Sequence, residues 1–203
     1  IWGTPNTKEF SGWAFNNTGD RLKLLSILKF SILNIGSQGG CFHGCANLNL
    51  NSVTDVLNLS GITSLANLFN GCSSLSSINN VNTWNTSSVT NMTSLFEGCI
   101  LFNQNIGSWN VSNVTNMTSM FYQAYTFNQN LNAWNVSNVT TMQTMFFIAS
   151  AFNNGLSSGV AGNMSWTTTS LTNMNQTFNN ASAFNQNIGS WNVTSVTNMA
   201  STF

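Results

Sequence analysis

Apolar residues recur along this chain in fixed columns, and the columns predict stacked repeats. A Phe closes each run: Phe42, Phe69, Phe96, Phe121, Phe146, Phe178 and Phe203, at spacings of 27, 27, 25, 25, 32 and 25. Four residues earlier stand Leu65, Met92, Met117, Met142, Met174 and Met199; seven earlier stand Ile62, Val89, Val114, Val139, Leu171 and Val196. Three after the Phe the residue is small (Cys45, Cys72, Cys99, Ala124, Ala149, Ala181), and six after it is large (Leu48, Leu75, Phe102, Phe127, Phe152, Phe184). Trp84, Trp109, Trp134, Trp166 and Trp191 form a further column.

Val, Met and Phe at i, i+3 and i+7 share one face of a short helix. Thr90, Thr115, Thr140 and Thr197 are placed to cap it, because a hydroxyl can accept an unpaired backbone N–H. Around Trp109–Asn110–Val111 the register alternates, as a strand requires. The spacing therefore predicts a repeat solenoid of about six coils over 41–203, each about 25 residues. Every coil reads as a short strand plus a short helix, stacked into one parallel sheet, since a single unit cannot bury its apolar face alone. Copies of Phe-Asn-Gln-Asn at 102–105, 127–130 and 184–187 are expected to form amide ladders between coils.

The longest spacing holds extra residues at 153–162, NNGLSSGVAG, which read as a flexible projecting loop. Residues 1–40 do not follow the repeat. They suggest a strand near Glu9–Asn16 and an apolar run from Leu22 to Ile35, and read as an N-terminal cap or the tail of a preceding domain. The chain stops at Phe203 in mid-repeat, so the expectation is an open solenoid edge, extended by further sequence or by the next subunit.

These columns resemble the BspA-type leucine-rich-repeat surface proteins, in the group whose repeats read W-N/D-V-S-N-V-T-N-M-x-x-M-F. WNVSNVTNMTSMF at 109–121 carries the likeness, with 134–146, 191–203, FNNTGDRLKLLSI at 15–27 and CFHGCANLNL at 41–50. The resemblance implies leucine-rich-repeat-like coils in a secreted or surface-attached, non-enzymatic protein that adheres to host or neighbouring-cell protein or glycan. The chain departs from the pattern in charge: Asn105 and Asn110 stand where the family commonly has Asp.

Charge changes the picture most. Charged residues are 4% of the 203, and the 106 residues from Gly98 to Phe203 contain no Asp, Glu, Lys, Arg or His. Nucleic acid is thereby an improbable partner, because phosphate binding needs clustered Lys and Arg. Leu22–Leu33, interrupted by Lys23 and Lys29, is too short to span a bilayer, so no membrane insertion is expected within this chain.

Candidate chemistry is sparse. His43 between Cys41 and Cys45 could form a Cys–His pair or a fragment of a zinc site, but a closed zinc site wants four ligands. Cys45, Cys72 and Cys99 sit in the small column that Ala fills later, which favours packing. A Cys72–Cys99 bridge between coils is the redox alternative. No catalytic residue, metal or cofactor is assigned. The sequon N-x-S/T occurs 13 times, and the leading acceptors are Asn110, Asn135 and Asn192, with Asn85 beside them. The columns of Trp and Phe are read as core rather than sugar platforms. Two functions follow. One is an extracellular structural subunit, glycan-coated, stacking head to tail on itself into a filament. The other is a surface adhesin holding protein or glycan on the solenoid face or the 153–162 loop.

Overall fold

Successive copies of the repeat lie one on another in parallel register. The computed structural model describes residues 14–31, 33 and 35–203; residues 9–13 of the strand expected near Glu9–Asn16 lie outside them. Isolated parallel bridges link Ser64 to Asn91, Asn91 to Asn116, Asn116 to Thr141, Thr141 to Asn173 and Asn173 to Asn198.

The coil itself differs from the expectation. Among the described residues, regular structure amounts to two single 3-10 turns, Arg21–Lys23 and Val81–Thr83, and two paired strands of two residues each, β1 (Gly162–Asn163) and β2 (Gln186–Asn187). The strand-plus-helix coil, the one continuous parallel sheet and the leucine-rich-repeat-like label are therefore wrong for this chain. No helix among the described residues is long and apolar enough to cross a membrane.

The reason lies in two left-handed residues per coil, two before and two after the Phe. The first column holds Ser94, Ser119, Thr144 and Gln176 at φ 53° to 56°; the second holds Gly71, Gly98, Gln123 and Ile148 at φ 57° to 73°. Such residues break a right-handed helix wherever they fall. They also turn alternate N–H groups away from the i−4 carbonyl and toward the next coil. Met117, Ser119, Phe121 and Gln123 donate to the carbonyls of Thr141, Gln143, Met145 and Phe147 at 2.9–3.1 Å. The carbonyls of the same four peptide units, on Asn116, Thr118, Met120 and Tyr122, accept from Met92, Ser94, Phe96 and Gly98 of the preceding coil at 2.8–3.0 Å. Their dipoles thus align along the stack, as peptide dipoles do along a helix axis.

The predicted N-caps have no helix to cap. Thr90, Thr115, Thr140 and Thr197 instead donate both N–H and Oγ1–H to one carbonyl, that of Thr63, Thr90, Thr115 and Thr172 respectively, and Thr172 does the same to Thr140. This ladder knits the coils on the solvent side.

Inside, the apolar columns become stacks. Phe42, Phe69, Phe96, Phe121, Phe146 and Phe178 lie ring on ring at 5.4–5.9 Å. Phe102, Phe127, Phe152 and Phe184 form a second file at 6.0–6.2 Å. Each such contact adds about 0.5–1.5 kcal/mol beyond area burial. The i, i+3, i+7 spacing therefore reported inward position correctly, with Val114, Met117 and Phe121 all buried, while the backbone path was different.

Residues before 41 join the same stack. Phe15 and Asn17 donate to the carbonyls of Cys41 and His43 at 3.1 Å, the relation that Phe42 and Gly44 have to Leu68 and Asn70. Phe15 thus occupies the Phe column one coil below Phe42. Asp55 clamps this lowest coil by accepting the N–H groups of Phe30 at 2.6 Å and Ser31 at 2.8 Å.

Candidate functional site: an uncharged polar face

Outward positions between the Trp column and the Met column carry Asn, Ser and Thr in every later coil. The four sequon asparagines singled out from sequence, Asn85, Asn110, Asn135 and Asn192, are all exposed here. Each is held by its own turn rather than by a strand. Asn110 Oδ1 accepts the Ser112 N–H at 3.1 Å and hydroxyl at 2.8 Å; Asn192 does the same with Thr194 at 3.0 and 2.7 Å. Asn85 accepts from Ser87 twice and Asn135 from the Ser137 N–H. Side-chain oxygens of Asn close such turns because they can mimic a backbone acceptor.

A second set ties the face between coils. Asn113 Nδ2 donates to the Ser87 carbonyl at 2.8 Å and Asn138 Nδ2 to Ser112 at 2.7 Å. Beside it runs the threonine ladder, whose residues are all exposed. The result is a face of fixed amides and hydroxyls, in a chain that holds no Asp, Glu, Lys, Arg or His from Gly98 onward. Fixing a polar group before binding lowers the entropy lost on complex formation.

The amide ladder expected from Phe-Asn-Gln-Asn exists in a specific form. Asn103, Asn128 and Asn153 each offer Oδ1 to the backbone N–H of the equivalent Asn one coil on, at 2.8–2.9 Å. Asn153 is fully buried and saturated: its Nδ2 also donates to the carbonyls of Ser157 and Val160, and its Oδ1 also accepts from Gln186 Nε2. With the β1–β2 pairing, these bonds pin the 153–162 segment at its base and leave residues 157–161 exposed. By residue type alone the segment reads as a loose insertion, because the buried Asn153 is the same residue as the exposed Asn103 and Asn185 of its column.

The cysteines pack as small apolar residues. Cys72 and Cys99 are free thiols, donating to the carbonyls of Phe42 and Phe69 at 3.1 Å, rather than bridged to each other. Burial pushes the thiols of Cys41 and Cys45 up to about 12 and those of Cys72 and Cys99 higher still. A protonated thiol is neither nucleophile nor metal ligand. His43 beside them is held below its ordinary value by burial, with Glu97 pulling up and Arg21 down. Among the described residues no three His, Cys, Asp or Glu side chains gather as a metal site.

The column one residue after each Phe, whose varied residue types read as partly exposed, is half-buried in the later coils. Leu101, Tyr125 and the stacked pair Tyr122–Phe147 (5.1 Å) are exposed or half-buried apolar side chains where other coils carry His43, Asn70, Asn179, Ala46, Ser73 or Asn47. The left-handed column was legible in part, since Gly44, Gly71 and Gly98 all stand two after their Phe; Gln123, Ile148 and Asn180 disguise it later.

A family model described as "Mycoplasma protein of unknown function, DUF285" matches residues 36–159 and 161–203. No curated protein and no solved structure matches the chain.

Proposed function

This chain belongs to that Mycoplasma family, DUF285, and from this premise we propose that it is a non-catalytic, surface-displayed binding scaffold whose uncharged polar face holds a neutral glycan. The observation that supports this reading is the face itself: exposed Asn, Ser and Thr side chains repeat coil after coil, each fixed by a turn or a ladder bond. Neutral sugars offer hydroxyl donors and acceptors at regular intervals and carry no charge to match. A prearranged set of amides and hydroxyls suits them, whereas a charged polymer would find no counter-charge. The likeness to BspA-type surface proteins supports display outside the cell, and the protonated thiols around His43 support the absence of a Cys–His nucleophile.

Head-to-tail stacking into a filament is the alternative reading. It rests on the exposed core side chains and unpaired strand backbone expected at the end of the stack, whereas the observation that favours glycan binding is the repeated polar face.

Binding to an array of neutral glycans tests the reading. Retention that is unchanged by added salt, and lost when Asn110 and Asn135 are replaced by Lys, is the expected result, since uncharged contacts are not screened. Protein isolated from its source with glycans attached at Asn110, Asn135 and Asn192 would sink it, because the face would already be covered.

A further inference from the structure

A different face, lying over the residues that follow each Phe, carries matched features at two heights. At the lowest coil stand Arg21 and Leu22, the latter 50% exposed. Arg21 lies against Gly44, since a Cβ there would sit 2.6 Å from its Cδ and Nε. Asn47 Nδ2 donates to the Leu22 carbonyl at 2.9 Å, which puts Leu22 directly below the Asn47, Ser74, Leu101 column. Three coils higher stand Glu97 and Leu101, the latter 49% exposed. Lys23–Asp20 is the one ion pair among the described residues, so neither Arg21 nor Glu97 has an ionic partner among them. His43, between them, lies within electrostatic reach of both.

The surface between these ends is low and neutral. Gly44, Gly71 and Gly98 stack directly, with added Cβ atoms meeting the neighbouring glycine Cα at 3.5 Å. They are flanked by His43, Asn70, Ser73 and Ser74.

We propose that this face pairs with the same face of a second copy, antiparallel about a two-fold axis running across the stack. Such an axis keeps column over column and reverses the order of coils. Arg21 then meets Glu97 of the second copy, Leu22 meets Leu101, and the Asn47 coil meets the Ser74 coil. Each contact occurs twice, as an isologous interface requires. The charge pattern selects the antiparallel arrangement, because the parallel one would set Arg21 on Arg21 and Glu97 on Glu97. The pairing uses a face separate from the proposed glycan site and stands or falls independently of it.

Sedimentation equilibrium over a wide concentration range, on the full chain, tests it. The wild type is expected to approach a dimer mass. Arg21→Glu and Glu97→Arg are each expected to weaken the dimer by about tenfold or more, through two like-charge contacts. The double variant, and an equimolar mixture of the two single variants, are expected to dimerise again, because both restore two opposite-charge contacts. Thermal melts of the single variants matching the wild type separate lost pairing from lost folding. A strictly monomeric wild type, including one that binds a foreign protein through Leu101, overturns the proposal. So does a dimer indifferent to both charge reversals, or an open-ended series of oligomers.

Discussion

The Trp column offers a test of how much one buried hydrogen bond contributes. Trp109, Trp134, Trp166 and Trp191 donate Nε1–H to carbonyls of the preceding coil, on Val81, Ile106, Leu131 and Met164, at 2.7–3.1 Å. Trp84 begins the column, above a coil that has no Trp, and its buried Nε1 has no hydrogen-bond partner. Trp84 and Trp109 are equally buried, at 3% exposure, and stack on each other at 5.8 Å. Replacing either by Phe removes the same ring volume and leaves a similar cavity, which costs about 1–2 kcal/mol. Trp109→Phe also forfeits a hydrogen bond with a net contribution of about 1 kcal/mol. Trp84→Phe instead removes a stranded donor whose burial costs about 1–3 kcal/mol. The two substitutions should therefore differ by about 2–4 kcal/mol, with Trp84→Phe close to neutral and Trp109→Phe clearly destabilising. For a domain of this size each kcal/mol moves Tm by about 2–4 °C, so circular-dichroism melts should separate the variants by at least about 4 °C. Equal losses in Tm would refute the reasoning.

Three further outcomes follow from other parts of the fold. Asn153→Ala strips four side-chain hydrogen bonds from a buried position; it should cost about 2–4 kcal/mol and speed proteolysis at residues 157–161. Native protein in mildly alkaline buffer should resist iodoacetamide at its four cysteines, with labelling appearing only on denaturation, since burial holds the thiols protonated. Desolvation raises the Asp55 carboxyl, but the N–H donors of Phe30 and Ser31 outweigh it and leave it below its ordinary value of 3.8. A depressed carboxyl stabilises above the unfolded pKa and stops doing so as pH falls through the folded one. Acid titration of the melt should therefore show a loss below about pH 4 that Asp55→Asn lacks.

What the sequence determined was periodicity and facing. The columns of Val114, Met117, Phe121 and Trp109 told which side chains enter the core, because burial is a property of side-chain type repeated at fixed intervals. Near-absence of charge likewise fixed the neutral character of the candidate face, and the exposure of Asn110, Asn135 and Asn192 followed from their place between inward neighbours.

The backbone path belonged to the tertiary structure. A helix and a chain of turns can point the same residues inward, and only contact with the next coil decides between them. Ser119 and Ile148 are drawn into left-handed φ because doing so gives Met117, Phe121 and Gln123 partners in the coil above. No local preference of Ile favours that conformation; the inter-coil bonds and the packed Phe files impose it. The same holds for Phe15, whose membership of the Phe column shows only in its bond to Cys41, and for Asn153, one Asn among 36 whose burial depends on the segment folded over it. Sequence sets what can be buried; the stacking of coil on coil decides how the chain travels to bury it.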